Sequence, residues 1–357
     1  MTVFFIGCTF IAFVVILIII LLYLQQTSTS SNKFNKRVKR SKKKIQPIFT
    51  KLVNNKNIKE NYVTEIKNIL TNGAEITAFN ELYLEYIEKN GKTDKLKEVI
   101  KEIICDDVIF NKNIYKGKYK IDYALYLYYF YEIITDSSIN YAFNNLDSDS
   151  LYTRINAMKV IENSDNIDNY IKVLEIINKS SHYISEKNII DFLISFKGNR
   201  TAFNEMLVNN FDNYEIEIQK DIINYFITRK YDSELIRKLI LKIFLNDKDN
   251  ELIIAGIKYF GFIIDEKAAK YISKYLDSDV TEIKLLSSKI AYKYESDIVK
   301  RKLKKNLTDM NWYVRNNAAY SLVRMEYTAE EKTEILNSKD NYAVEAFKQA
   351  LENKKVI

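Results

Sequence analysis

The side chains that most often carry out catalysis or hold metals are scarce in this chain. Its 357 residues include one histidine, His182, and two cysteines, Cys8 and Cys105. A structural zinc site needs four Cys or His ligands, and a disulfide framework needs several paired cysteines, so we expect neither. Any Ser/His/Asp or Cys/His catalytic group would have to use His182. That residue belongs to the polar stretch 179–185, which we expect to be a solvated loop.

Carboxylates are the remaining candidates for chemistry. The chain has 47 Asp and Glu residues, which is enough to supply an acid–base pair, but no motif singles out two of them. We therefore predict that the protein is not an enzyme and has no catalytic, cofactor-binding or metal-binding residues.

Basic residues are concentrated near the N-terminus. Residues 1–59 contain eleven Lys and Arg and no acidic residue, whereas the remaining 298 residues carry 43 basic and 47 acidic side chains. The stretch 33–44 is the densest part, and we expect it to contact anionic lipid headgroups, an attraction of about 1 kcal/mol per basic residue. The proposed lipid-contacting residues are Lys39, Arg40, Lys42, Lys43 and Lys44.

Two other interpretations of this basic stretch stay open. Blocks of like charge repel one another, so residues 25–59 are expected to form a solvated juxtamembrane linker. A nucleic-acid-binding arm is also conceivable, but tethering at a membrane argues against it, and we expect no nucleic-acid partner.

An uncharged apolar segment precedes the basic residues. As a helix, the 22 residues 3–24 would be about 33 Å long, which matches a hydrocarbon core of about 30 Å. A cleaved signal peptide would need a basic start and a shorter apolar core, so we favour an uncleaved anchor within residues 1–24. The basic residues that follow predict an outside N-terminus and a cytoplasmic body. The sequence thus predicts a single-pass plasma-membrane protein.

The composition of the remaining chain favours helices. The chain has only seven glycines and one proline, the residues that tight turns between strands usually need, so we predict an all-α protein. From residue 60 onward, apolar residues recur at helical spacing and short polar clusters interrupt them. We expect one helical repeat domain over residues 60–357, clearest over 147–351.

A leucine, an Asp-containing turn and a helix recur along this domain. The first core position of each such helix returns at intervals of 28 to 34 residues, which indicates a solenoid of helix pairs. These reference positions are Thr153, Ile184, Ile218, Leu252, Ile283, Val314 and Tyr342. Four residues further along, small side chains would allow the two helices of a unit to pack closely. These small residues are Ala157, Gly256, Ser287, Ala318 and Ala346.

The segment 309–322 resembles the turn and second helix of HEAT repeats, in which Asp, Val-Arg, Ala and Leu recur. The matching residues are Asp309, Val314, Arg315, Ala318 and Leu322, with Asp247 a looser match in another unit. The resemblance implies a right-handed α-solenoid of HEAT-like helix pairs. It also implies a hydrogen-bonded ladder between units, in which Asp309, Arg315 and Asp247 would be structural. A bacterial membrane-anchored HEAT-repeat protein is the kind of protein that it suggests.

Solenoids offer long curved faces to extended partners, so we expect a scaffold or adaptor that binds a partner protein. A membrane protein is the expected partner, and the chain would then be accessory to a membrane enzyme such as a glycosyltransferase. Trp312 is the candidate contact residue, because tryptophan is enriched at binding hot spots. The alternative for Trp312 is an apolar cap on its helix.

Two alternative functions stay open. The resemblance also covers HEAT-like enzymes, namely alkylpurine DNA glycosylases and bilin lyases, but a glycosylase needs a basic groove and residues 60–357 have an excess of acidic residues. The other alternative is an anionic-lipid sensor that works through the stretch 33–44. The tyrosine-rich segment 121–134 is expected to be a buried core helix, with an aromatic binding groove as its alternative.

Overall fold

The computed structural model describes residue 16 and the ranges 30–54, 60–106, 108–109, 119–246, 249–325 and 328–354. The predicted anchor, apart from Ile16, lies outside these residues, and so does Asp247. Within the described ranges, no helix combines the length and the apolar character that crossing a membrane requires.

The described residues confirm the predicted all-α class, since helices and no strands occur among them. The chain divides into two compact units, Met1–Asn163 and Ser164–Ile357. The first unit contains α1 (30–54), α2 (Glu60–Ile69), α3 (Gly73–Asn90), α4 (Asp94–Ile103), α5 (Tyr119–Phe130), α6 (Asp136–Phe143) and α7 (Leu151–Glu162). The second contains α8 (Ile167–Lys179), α9 (Glu186–Ser195), α10 (Arg200–Asn209), α11 (Ile216–Arg229), α12 (Glu234–Asn246), α13 (Asn250–Phe262), α14 (Ala269–Tyr275), α15 (Thr281–Ile290), α16 (Asp297–Asn306), α17 (Trp312–Arg324), α18 (Ala329–Leu336) and α19 (Asn341–Lys354).

Helix α1 corrects the expectation of a solvated linker at residues 25–59. Its apolar residues recur at helical spacing and are buried, among them Val38, Ile45 and Phe49. The Phe49 ring packs edge-on against Phe79 and Tyr86 of α3, with ring centroids 5.6 and 6.0 Å away. The basic side chains do not prevent this helix, because most of them lie on its other face. The packed helices therefore begin well before residue 60.

Helix α5 contains most of the tyrosine-rich segment. Tyr128 is buried, and so is Tyr131 just beyond the helix. The Tyr128 hydroxyl donates to Asp106 Oδ1 at 2.6 Å, and the Tyr131 hydroxyl donates to Asn80. A tyrosine can be buried at little cost in stability when its hydroxyl has such a hydrogen-bond acceptor. These two tyrosines confirm the core interpretation, whereas Tyr129 is exposed.

The second unit is built as two layers of helices. The odd-numbered helices from α9 to α19 pack on one another in chain order, and even-numbered helices pack beside them. Pairs such as α12–α13, α16–α17 and α18–α19 join the two layers. This arrangement is that of an α-solenoid, in which each pair contacts its neighbours.

The first residues of the odd-numbered helices give the repeat register, and in α7, α13 and α17 a side-chain cap marks that start. In α13, Asp249 Oδ1 accepts a hydrogen bond from the Leu252 N–H at 3.0 Å, and this places the reference position third in the helix. Thr153, Ile218, Ile283 and Val314 are also third residues of their helices. Two reference positions are wrong. The cap Ser185 makes Asn188 the third residue of α9, so Ile184 is in the preceding loop. In α19, Asp340 accepts a hydrogen bond from the Ala343 N–H, so the third residue is Ala343. Tyr342 is the second residue of α19 and is exposed.

The small residue Gly256 has the packing role predicted for it. A Cβ atom at this position would lie 2.6 Å from Phe244 Cε1 and 2.9 Å from Ile240 Cγ2. Both neighbours are on α12, the first helix of the same pair. The absence of a side chain at Gly256 therefore allows the short distance between α12 and α13.

Buried tyrosines tie successive pairs together. The Tyr259 hydroxyl of α13 donates to the carbonyl of Tyr231 at 3.0 Å, and the Tyr294 hydroxyl donates to the carbonyl of Phe260 at 2.9 Å. Each bond joins residues about thirty positions apart, so it links one helix pair to the pair before it.

Candidate functional site

The solvent-facing side of α1 is a candidate lipid-binding surface. Seven exposed basic residues lie there, opposite the buried stripe of Val38, Ile45 and Phe49. They are Lys33, Lys36, Arg37, Lys39, Arg40, Lys43 and Lys44, and we call them the α1 basic face. Within the described part of the chain, none of the seven has an ion pair with a carboxylate. The helix therefore concentrates positive charge on one side, which suits an anionic surface.

One residue of the predicted lipid-contacting set belongs elsewhere. Lys42 is half-buried, and its Nζ lies 3.1 Å from Glu81 Oε2 and 2.5 Å from Glu85 Oε1, both on α3. The hydrogen bond that Lys42 donates to the Glu85 carboxylate, together with Glu81, raises the pKa of Lys42 against the opposing effect of burial. Lys42 therefore fastens α1 to α3, while the other four predicted residues are on the α1 basic face.

Trp312 is the first residue of α17 and is half-exposed, at 50%. Its ring packs against Tyr313 with centroids 5.0 Å apart. Tyr313 and Tyr342 are exposed as well, and Met310 in the preceding turn is 99% exposed. We call these four residues the α17 aromatic patch. Met310, Trp312 and Tyr313 lie at the start of α17, and Tyr342 lies at the start of α19, where its ring contacts Arg315 of α17. Exposed large apolar side chains of this kind often mark a surface that binds partners.

Asp309 and Arg315, two of the residues that suggested the HEAT resemblance, stabilise the turn before α17. Arg315 Nη1 donates to the carbonyls of Asp309 at 2.7 Å and Met310 at 3.0 Å. Asp309 also joins successive pairs, but its partner is a lysine and not an arginine, because Asp309 Oδ2 accepts from Lys284 Nζ of α15 at 3.0 Å. The Arg315 guanidinium also lies 5.3 Å from the Tyr342 ring centroid. Burial of the Asp309 carboxyl acts to raise its pKa. The hydrogen bond from the Asn311 N–H and the nearby Lys284 outweigh this effect, so the pKa of Asp309 is below its usual value.

Arg154 makes the same turn contacts in the first unit and was missed from the sequence. Its Nη1 donates to the carbonyls of Ser148 at 2.6 Å and Asp149 at 3.1 Å. Arg154 follows the reference residue Thr153 as Arg315 follows Val314. That position is the signal that could have identified it.

A cleft between α9 and α11 contains His182, which lies in the loop where the sequence placed it. The cleft has a volume of about 390 Å³. Carboxylates line it at Glu186, Glu215, Glu217 and Asp221, and isoleucines line it at Ile177, Ile184, Ile189 and Ile218. We call it the α9–α11 cleft. Within the described residues, no group of three His, Cys, Asp or Glu side chains is arranged to hold a metal ion.

Asp221 is the buried acid of this cleft. Only 4% of its surface is exposed, and among the described residues its carboxyl has no hydrogen bond or ion pair. Burial, and then the nearby Glu186 carboxylate, raises the pKa of Asp221 to about 7. No local pattern of residues indicates this site, because the burial of Asp221 depends on how α9 and α11 pack.

Comparisons with known proteins do not identify a family. No protein-family model and no curated protein matches the chain. Two similar solved structures are crystal structures of engineered proteins from a structural genomics consortium. The first is 15% identical with a TM-score of 0.36, and the match covers 87% of this chain and 98% of the other. The second is 16% identical with a TM-score of 0.21, and the match covers 77% and 96%.

Proposed function

We propose that the protein is a non-enzymatic scaffold held at the inner face of the plasma membrane. Residues 3–24 would anchor it, with the N-terminus outside and the helical body in the cytoplasm. The body would be a right-handed HEAT-like solenoid that binds a partner protein, in the simplest case a membrane protein such as a glycosyltransferase. The α1 basic face would lie on anionic lipid headgroups beside the anchor.

The observation that carries this proposal is the α1 basic face. Seven cations on one side of a helix, without carboxylates paired to them, favour an anionic surface by about 1 kcal/mol each near the headgroups. An uncharged segment long enough to span a bilayer ends nine residues before the first of them, at Leu24. This face gives the lipid-sensor alternative specific support as well, because it would bind more tightly as anionic lipid increases.

The lipid contact can be tested by trypsin digestion of the full-length protein in vesicles. Trypsin cleaves after Lys and Arg, so cleavage within 33–44 reports access to the α1 basic face. We expect slower cleavage there in vesicles that contain phosphatidylglycerol than in pure phosphatidylcholine, and no difference between them at high salt. Cleavage after Lys187 and Lys197 in the second unit is the internal control. Equal rates within 33–44 in both lipids would contradict the contact.

The topology can be tested with reporter fusions. A reporter that is active only outside the membrane should give no signal at the C-terminus and a strong signal at the N-terminus. The opposite pattern would overturn the proposed orientation.

Partner binding can be tested at the α17 aromatic patch. We expect Trp312→Ala/Tyr313→Ala to lose a cross-linked partner that the native chain retains in intact cells, since aromatic residues dominate binding hot spots. The matched control is Leu151→Ala/Tyr152→Ala, because these exposed residues occupy the same first two positions of α7. Retention of the same partner by the Trp312/Tyr313 variant would exclude this patch as the contact.

A further inference from the structure

The α9–α11 cleft has the charge of a cation-binding site. Its lining includes four carboxyl groups and one ammonium group, Lys220. The Lys220 Nζ lies 3.7 Å from Glu251 of α13, which is not part of the lining. One of the carboxylates, Glu186, is held in place by Asn224 Nδ2 of α11, whose hydrogen bond to Glu186 Oε1 is 2.9 Å long. The cleft therefore has an excess of negative charge on two helices that face each other.

Asp221 provides an independent sign of a ligand. A buried carboxyl without a partner destabilises the fold unless a cation or hydrogen-bond donor reaches it. Asp221 lines the cleft, so a group that enters the cleft can reach its carboxylate. Residues that lower stability in this way are common at functional sites, where stability and activity conflict.

The walls of the cleft indicate the shape of the ligand. Four isoleucines, one each on α8, the loop before α9, α9 and α11, line the cleft beside the carboxylates. An aliphatic chain with a cationic end would cover the isoleucines with its methylene groups and place its charge near Asp221. A bare metal ion would find no matching set of ligands among the described residues.

We infer that the α9–α11 cleft binds the cationic end of an aliphatic chain, as carried by a lysine or arginine side chain of a protein or by a free polyamine. Asp221 would bind the cation at the bottom of the cleft, and Glu186 and Glu217 would attract it at the rim. The site itself does not depend on the scaffold proposal. Only a protein source of the cation rests on that function.

The test uses the full-length protein in detergent and titration calorimetry at pH 8. The probes are spermidine, a capped Ala-Ala-Lys-Ala-Ala peptide, and the same peptide with leucine in place of lysine. We expect spermidine or the lysine peptide to bind and the leucine peptide not to bind. Spermidine binding alone indicates a free polyamine, and lysine-peptide binding indicates a protein ligand, the source that rests on the scaffold function.

Variants connect binding to the buried acid. Asp221→Asn should weaken binding at least tenfold, and Glu186→Gln should weaken it less. Asp191→Asn removes an exposed carboxylate on α9 and should leave affinity unchanged. No binding of either cationic probe at pH 8, or equal affinities of the native protein and Asp221→Asn, would overturn the site.

A pH series is a further check. The charged groups around Asp221 are Glu186 of α9, Glu215, Glu217 and Lys220 at the start of α11, and His182 of the loop. We expect the affinity for spermidine to fall at least threefold between pH 8 and pH 6, and this fall to be smaller in Asp221→Asn. A fall of the same size in both proteins would assign the pH effect to the other groups and count against Asp221.

Discussion

Asp221 links the stability of the fold to pH. Its pKa is about 7 in the folded chain, against a usual value of 3.8. Between these two values the folded protein binds more protons at this site than the unfolded protein does, so the free energy of unfolding falls as pH rises. Above about pH 7 the carboxyl is ionised in both states and this loss is complete.

We therefore predict that Asp221→Asn stabilises the protein most at high pH. The difference in unfolding free energy should be near zero at pH 4 and reach up to about 4 kcal/mol above pH 7. Urea denaturation at several pH values measures it, with Asp191→Asn as the exposed control. A gain that is constant with pH would mean that Asp221 does not titrate as described.

Two buried serines allow a second comparison of single side chains. Ser287 is fully buried, and its hydroxyl has no hydrogen bond within the described part of the chain. Ser321 is also buried, but its hydroxyl donates to the carbonyl of Ser288 on α15.

Alanine substitutions should separate these two serines. We expect Ser287→Ala to raise stability by up to about 1 kcal/mol, because it removes an unsatisfied polar group, and Ser321→Ala to lower it by about 1 kcal/mol. Thermal unfolding of the two variants measures both effects. Equal changes of the same sign would show that the hydroxyl contacts do not decide the result.

At the scale of elements, the approach of α12 to α13 can be tested at Gly256. Alanine usually favours a helix by about 1 kcal/mol over glycine, but here its Cβ would overlap Phe244 and Ile240. We predict that Gly256→Ala lowers stability by about 1–3 kcal/mol. Gly261→Ala is the matched control in the same helix, because its Cβ would meet Ile290 Cγ2 at 3.1 Å, a milder contact. A more stable Gly256→Ala would contradict the close packing.

The sequence predicted those elements whose signals are local. The starts of α7, α13 and α17 follow from Ser150, Asp249 and Asn311, which cap the next amides. The register of α9 was misjudged, because Ile184 is apolar and buried although it precedes the helix. An apolar loop residue was thus taken for a core position of the helix.

Two other features could not be read from local patterns. The charge density of 33–44 suggested a solvated linker, but Ile45 and Phe49 are buried, Phe49 against α3, and this packing stabilises the helix over residues 30–54. The α9–α11 cleft arises from residues more than thirty positions apart in the chain. Only their packing shows that Asp221 is buried among them.

At the scale of the whole molecule, a destabilising substitution in one compact unit should leave the stability of the other unit unchanged. Phe49 of α1 is buried in the first unit, whereas Phe34 on the same helix is exposed. We predict that Phe49→Ala lowers the stability of the first unit by about 3–5 kcal/mol. Hydrogen exchange should then speed up in α1 and α3 and stay unchanged in α13 to α17, as expected when contacts are between neighbours.

Phe34→Ala is the matched control for this prediction and should leave exchange unchanged throughout the described residues. If Phe49→Ala also raised exchange in α13 to α17, the two units would unfold together.

The bonds from Tyr259 and Tyr294 to backbone carbonyls involve no ionised group, so dissolved salt does not screen them. Contact of α1 with headgroups would depend on ionised groups throughout. A rise in ionic strength would thus detach the helix from an anionic bilayer while the stacked pairs stay assembled. Ionic conditions would control how closely α1 lies on the bilayer, while the anchor would still hold the chain and its internal architecture would not change.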